Sequence, residues 1–492
     1  MGGFARFMAL FLCAALLFAI LAGCASDEDS SVTESKALTD TETTVAEEET
    51  LTPPDIPQLD LEGRDFTIFT SDWYGYDPLN IKDIVADDLN GDMLNDAIYN
   101  RYKYVNDYFN CNIVYLNKSL FDVVPDVQKA VAAGDAAYDS VITRATMWAT
   151  VLTSKMLYNL DTVPYINYDD PWYDSNSLQA LSVLGKNYGI VSDLTMNLYL
   201  LVFCAYINLQ IMQDYSLGNI YDIVREGSWT LDKLTEMSRA VAADINGDGK
   251  YTTEDQYGMT WIVDVPEGLI NAAGIRYGTF DSSGRLQITY DTEEAITVMQ
   301  KVFDFLSDTE LFFNVHARST QAFIDEVGMF ASGRVLCSIA GVYYAPQFRN
   351  MDNDFGIIPL PKLNTEQKEY NSPLFSNIIP ILVVPITNSK LDETGAILTM
   401  MSYLGRRDMY PALYDNLLQG KITRDENSNA MLDLLFENKF YDPGIIFFNT
   451  VKDNIRNIYM NLRGDFVSTL TKTQKMTQKV IDDLEQAVQQ NG

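Results

Sequence analysis

The sequence predicts an α/β fold built on an open parallel sheet and closed by a mainly helical C-terminal section. Three observations carry this expectation. Between residues 66 and 143 the hydrophobic period switches from strand to helix and back twice. Two apolar runs of strand type, 198–207 and 375–386, stand far apart in the chain, and from Glu393 onward helical spacing dominates.

Phe66-Thr67-Ile68-Phe69 reads as the first strand, after which Leu94, Ile98, Tyr102, Val105 and Phe109 recur at helical spacing. Residues 111–116 form a second strand, 123–133 a helix that Gly134 closes, and 138–143 a third strand. Strands separated by helices in this way pair in parallel, and such sheets bind ligands beyond the carboxyl ends of their strands. The loops after Phe69 and Thr143 are therefore candidate binding loops. Between the two apolar runs come a helix over 231–243, a strand over 257–263, a helix over 293–306 and a strand over 334–339. Residues 471–490 are polar and amphipathic, and no internal repeat interrupts the series.

The ends of the chain follow other rules. Residues 7–21 are apolar but too few to span a bilayer comfortably and follow a single basic residue, Arg6, which is the pattern of a signal-peptide core. The run ends in Leu21-Ala22-Gly23-Cys24, which resembles the bacterial lipobox. That resemblance implies cleavage after residue 23 and a lipidated Cys24 anchoring the chain outside a bacterial cell membrane. Residues 24–59 are rich in Ser, Thr, Glu and Asp and poor in aromatics, a composition that forms an acidic disordered tether.

Composition narrows the function. A formal charge of −33 opposes binding to nucleic acid, whose phosphates require clustered Lys and Arg. Beyond Cys24 there remain Cys111, Cys204 and Cys337, each in an apolar stretch without C-x-x-C spacing, which reads as three buried thiols. The one histidine, His316, is too little for an imidazole metal site, and its surroundings show neither a serine elbow nor an activated cysteine. Phosphate-loop and dinucleotide fingerprints are missing, and no pair of carboxylates stands out for glycoside hydrolysis. The balance favours a binder over an enzyme.

One motif carries metal chemistry. In "DINGDGKYTTED", residues 244–255, oxygen donors fall at Asp244, Asn246 and Asp248, Gly249 provides the sharp turn, Lys250 offers its carbonyl and Asp255 takes the twelfth position. Asp in place of a bidentate Glu, and Tyr251 at the eighth position, predict a weak calcium site in the range of roughly 10⁻⁴ to 10⁻³ M. An Asx-rich turn without metal is the alternative. A helix enters this loop but a strand leaves it, so no helix pair exists to open and the site is expected to be a structural staple. Asp88-Leu89-Asn90-Gly91-Asp92 begins similarly, yet Met93 stands where glycine is needed, which leaves a polar helix start.

Three stretches then resemble one family together: "SWTLDKLTEMSRAVAADINGDGKYTTEDQYGMTW" (228–261), "FASGRVLCSIAGVYYA" (330–345) and "DFGIIPLPKLNTEQKEYNSP" (354–373). They are similar to the extracellular solute-binding protein family 1, the lipoprotein receptors of ABC importers related to maltose-binding proteins, from about Leu61 onward. The resemblance implies a two-lobe, type II periplasmic-binding-protein-like fold with 198–207 and 375–386 as hinge crossovers. The implied lobes comprise 60–203 with 372–410 and 204–371 with 411–492. It further implies a monomeric receptor that hands a carbohydrate, an oligosaccharide, to membrane permease subunits. Carried onto this sequence, it implies ligand contacts from Trp73, Tyr74, Arg144, Trp148, Trp261, Tyr343 and Tyr344. Aromatic faces suit sugar rings, although each ring would serve core packing equally well. Trp172 reads as packing. A surface polysaccharide hydrolase and a calcium-dependent adhesion or scaffold protein are the competing readings.

Overall fold

The computed structural model describes residues 51–72, 83–376, 378–417 and 426–490. Cys24, Trp73 and Tyr74 lie outside the described residues.

The chain begins as the hydrophobic pattern dictates. Strand β1 (Asp65–Asp72) buries Phe66, Ile68 and Phe69. Helix α1 (Met93–Phe109) starts where Asp92 caps the Asn95 amide, so the 88–92 stretch is a helix start. Its buried face holds Leu94, Ile98, Val105 and Phe109 as expected, with Arg101 in place of the expected Tyr102. Strands β2 (Asn112–Ser119) and β3 (Ser140–Arg144) flank β1 in parallel. Helix α2 (Leu120–Ala133) joins them and stops at Gly134, whose φ of 68° is the left-handed conformation a helix terminus favours. Then follow α3 (Trp148–Thr153) and α4 (Ser175–Leu181).

The first apolar run is not wholly extended. Asn197–Leu200 is helical, and β4 (Phe203–Asn208) begins only afterwards. A continuous apolar run carries no period that separates a buried helical turn from a strand.

A second sheet grows around β4. The chain passes through α5 (Leu231–Val241), β5 (Tyr257–Trp261), the hairpin β6 (Gly278–Phe280) and β7 (Leu286–Ile288), α6 (Glu293–Leu306), β8 (Phe312–Asn314), β9 (Val335–Gly341) and β10 (Phe355–Ile358). The strand order is β10-β4-β9-β5-β8, with β9, β5 and β8 parallel and β4 antiparallel to β9 and β10.

After β11 (Ser372–Pro373) the chain returns. Strand β12 (Pro380–Val383) joins the first sheet antiparallel to β3, giving the order β12-β3-β1-β2. Pro380 suits the start of an edge strand because it lacks a donor. The remainder is helical, from α7 (Leu391–Leu404) to α8 (Pro443–Phe447), α9 (Asn449–Asn461) and α10 (Phe466–Gln490). Between α7 and α8 the short strand β13 (Lys439–Phe440) pairs with β11.

The two passages between sheets run side by side. Val202 and Leu374 form an antiparallel bridge, the Phe375 amide donates to the Leu201 carbonyl at 3.0 Å, and the rings of Phe203 and Phe375 stack. These two adjacent passages, the neck, join the sheets, and the chain crosses again beyond α7, where α8, α9 and α10 also pack against the first lobe. Cys111, Cys204 and Cys337 are free and buried, as expected. No helix among the described residues is long and apolar enough to cross a membrane.

Candidate functional site between the lobes

Both sheets send the carboxyl ends of their parallel strands toward the neck, and α9 links what lies beyond them. Asn449 donates from Nδ2 to the carbonyl of Thr146, two residues past β3, at 3.1 Å. Lys452 donates from Nζ to Asn449 Oδ1 at 3.2 Å. Arg456 reaches Asp264 and Glu267, just past β5, and its Nη2 donates to Glu267 Oε2 at 3.1 Å. Positions i, i+3 and i+7 share one helix face, so these three side chains form a polar ladder from the first lobe to the second.

The ladder is enclosed. The side chains of Lys452 and Glu267 retain only 5% and 7% of their exposure. Burial holds the Glu267 carboxyl above the usual range and the Lys452 ammonium below its own. His316 sits beside this cluster with its Nδ1 accepting from the Val263 amide at 3.0 Å. Burial lowers its pKa, which leaves a neutral ring that pins the turn after β5.

On the first lobe, Arg144 ends β3 and clamps the end of β1. Its Nε donates to Ser71 Oγ at 3.3 Å, Nη2 to the Ser71 carbonyl at 3.1 Å and Nη1 to the Ile378 carbonyl at 3.4 Å. Nearby, the buried Asp83 carboxylate accepts from Thr195 Oγ1 at 2.5 Å and the Met196 amide at 2.6 Å, while Arg101 donates to the Asp83 carbonyl. Burial raises the pKa of Asp83.

The described aromatic residues named from the sequence, Trp148, Trp261, Tyr343 and Tyr344, are all buried. Tyr343 packs at the neck, edge-on to Tyr344 at 4.9 Å and tilted against Phe375 at 5.7 Å. Trp148, Trp261 and Tyr344 are enclosed in the core, which is the packing alternative each ring left open. Trp148 lies over Gly189 beside Ile381, and Tyr344 donates from its hydroxyl to Glu326 at 3.1 Å. Trp172 packs edge-on against Tyr403. Sequence reasoning missed Asn449, Lys452, Arg456, Asp264 and Glu267. The signal for the first three is a polar stripe at helical spacing on an otherwise half-buried helix.

The 244–255 loop is a tight turn between α5 and β5, tied by a bridge between Ala243 and Gln256. Asp244 accepts from the Gly247 and Gly249 amides, both at 2.8 Å, Asn246 from Asp248 at 2.9 Å and Asp248 from Lys250 at 2.8 Å. Gly247 and Gly249 take φ values of 71° and 76°, which favour glycine. Asp255 is buried and accepts from the Ile245 amide at 3.1 Å and the Thr252 amide at 2.7 Å. The Thr252 bond is the main reason its carboxyl lies below the usual range. No three acidic, imidazole or thiol side chains among the described residues converge as a metal centre. The loop's oxygens nevertheless keep spare lone pairs, since a carboxylate oxygen accepts more than one bond, so the donor set suits a hard cation.

No protein-family model and no curated protein sequence matches this chain. Solved structures match its fold. An ABC substrate-binding protein of Listeria monocytogenes in complex with cycloalternan shares 11% identity at a TM-score of 0.57, covering 85% of this chain and 99% of that one. The GacH receptor of Streptomyces glaucescens, solved unliganded and with acarbose, shares 14% at 0.53, covering 87% and 98%. UgpB of Mycobacterium tuberculosis with glycerophosphocholine shares 17% at 0.52, covering 79% and 95%. The two-lobe fold that the sequence resemblance implied is the fold observed.

Proposed function

We propose that this protein is an extracytoplasmic receptor that captures a carbohydrate, an oligosaccharide, between its lobes and passes it to the permease subunits of an ABC importer. The observation that carries the reading is the ladder of Asn449, Lys452 and Arg456, which spans the carboxyl ends of strands from both sheets. Amide, ammonium, guanidinium and carboxylate groups of this kind fix hydroxyls, and a solute bridging them would hold the lobes together. The sugars in the neighbouring Listeria and Streptomyces structures agree with that chemistry.

Three further parts belong to the same proposal. Leu21-Ala22-Gly23-Cys24 supports a lipid anchor at Cys24, with residues 25–59 as tether. The spacing of Asp244, Asn246, Asp248, Lys250 and Asp255 supports a calcium ion that reinforces the turn between α5 and β5. The receptor acts as a monomer. Neither the hydrolase nor the scaffold reading gains an observation from the described residues.

Titration calorimetry of the chain lacking its first 23 residues, against maltodextrins, cyclic glucans, monosaccharides and glycerophosphocholine, tests the reading. Saturable binding of a saccharide is expected, with a stabilisation of about 2.7 kcal/mol at a hundredfold excess over Kd. Arg456→Met should weaken it at least tenfold, or by about 1.4 kcal/mol. A flat response across the panel, with no ligand shifting the melting temperature, rejects the proposal. Release of reducing ends from a polysaccharide would favour the hydrolase.

A further inference from the structure

A cavity of about 660 Å³ lies away from the ladder and shares no residue with it. Its walls come from both lobes. Asn176 and Gln179 on α4 and Asn187 beyond it form one side, while Arg276, Thr279 on β6 and Lys439 on β13 form the other. At one end the Leu184 amide donates to the Gly284 carbonyl at 2.8 Å, tying the first-lobe turn to the β6–β7 hairpin. The volume falls within the range of roughly 300–1,000 Å³ that holds small ligands.

The charge of the lining is unlike that of the chain. Acidic residues outnumber basic ones 68 to 35 overall, yet among the described residues the charged groups lining this cavity are Arg276 and Lys439. Arg276 is held rigidly, with Nε donating to the Tyr441 carbonyl at 2.8 Å and the guanidinium 3.7 Å from the centre of the Phe440 ring. Its two terminal nitrogens have no acceptor among the described residues, a fork suited to a carboxylate or phosphate. Lys439 is paired with Asp174 at 3.3 Å and leaves Arg276 as the principal anion contact. The side chains of Asn176, Gln179 and Thr279 make no hydrogen bond among the described residues, which leaves amide and hydroxyl groups ready for a ligand's hydroxyls.

We propose that this cavity is a second binding site, for a small hydroxylated anion of the sugar-acid or sugar-phosphate class. An occupant touching both lobes favours the lobe arrangement that brings these walls together, so the site modulates solute capture without being part of it. The proposal stands whether or not the ladder binds a sugar.

Calorimetry and melting with D-glucuronate, with glucose 1-phosphate and with neutral glucose test it. Binding of at least one acidic probe is expected, with no competition from glucose, and the stronger arm identifies carboxylate or phosphate. Arg276→Gln should weaken that binding at least tenfold, or by about 1.4 kcal/mol. Because Arg276 also packs on Phe440, Thr279→Trp provides a second variant that leaves Arg276 in place, fills the cavity and should abolish the same binding. Arg456→Met should leave it unchanged. The site is disproved if neither acidic probe gives heat or a melting shift at about 10 mM. Binding that survives both cavity variants, or that is lost in Arg456→Met, overturns it equally.

Discussion

The rings of Phe203 and Phe375 stack with centroids 3.9 Å apart at an interplanar angle of 17°, one ring from each chain passage between the sheets. Both side chains are buried, and with the Val202–Leu374 bridge they fasten two of the passages between the sheets. Phe375→Ala should cost about 3–5 kcal/mol of stability, measured by urea unfolding. Combined with Phe203→Ala, the two losses should sum to less than their separate values, because each removes the other's partner.

Arg456 is the only cation that reaches both Asp264 and Glu267 among the described residues. Arg456→Met leaves two carboxylates together and should cost about 3–5 kcal/mol at pH 7. The Glu267 pKa is already raised by burial, so this carboxyl takes up a proton readily as pH falls. The penalty should therefore be smaller at pH 5 than at pH 7, as comparison of unfolding midpoints at the two values would show.

Glu326 is fully buried under β9, where its carboxyl accepts from the Tyr344 and Ser338 hydroxyls, and burial pushes its pKa from 4.5 to about 8. Between those values the folded chain holds a proton that the unfolded chain has released. Stability should thus fall as pH rises through this window, by up to about 1.4 kcal/mol per pH unit from this group. Glu326→Gln should flatten that dependence in denaturant titrations from pH 5 to pH 8. An unchanged slope would show that Glu326 is not its source.

At Gly189 a Cβ would lie 2.5 Å from the Ile381 side chain and 2.6 Å from the Trp148 ring. Neither neighbour can retreat, since both are fully buried. Gly189→Ala should destabilise by about 1–3 kcal/mol, read as a drop in melting temperature.

Calcium should raise the melting temperature relative to chelator. Replacing Asp244 and Asp248 by alanine should remove that difference and also lower stability in chelator, because both carboxylates cap loop amides without metal. Equal melting of the unmodified protein in calcium and in chelator refutes the metal.

The parallel strands, their helices and the neck were legible because period and turn chemistry are local. Phe66–Phe69, the α1 stripe and the Gly134 terminus each announced an element that formed. The helical turn at Asn197–Leu200 was not legible, since a run of apolar residues has no period to read. The site was harder. Arg456 finds Glu267 across 189 residues of chain, a pairing that no spacing reveals. Aromatic residues drew attention because rings stack on sugars, yet Trp148 and Trp261 fill the core for the same reason, namely their large apolar surface.

Strand β12 lies 236 residues beyond the end of β3, its partner in the first sheet. Delivered from its N-terminus, the chain supplies the edge of that sheet only after every strand of the second sheet. Until then β3 presents an unpaired edge, and the first lobe has no means of finishing alone. The threading that returns the chain to the first sheet therefore also sets an order of assembly. The lobe begun first waits for residues 372–410 and the second for 411–492, and protecting the β3 edge over that interval should raise the yield of folded protein.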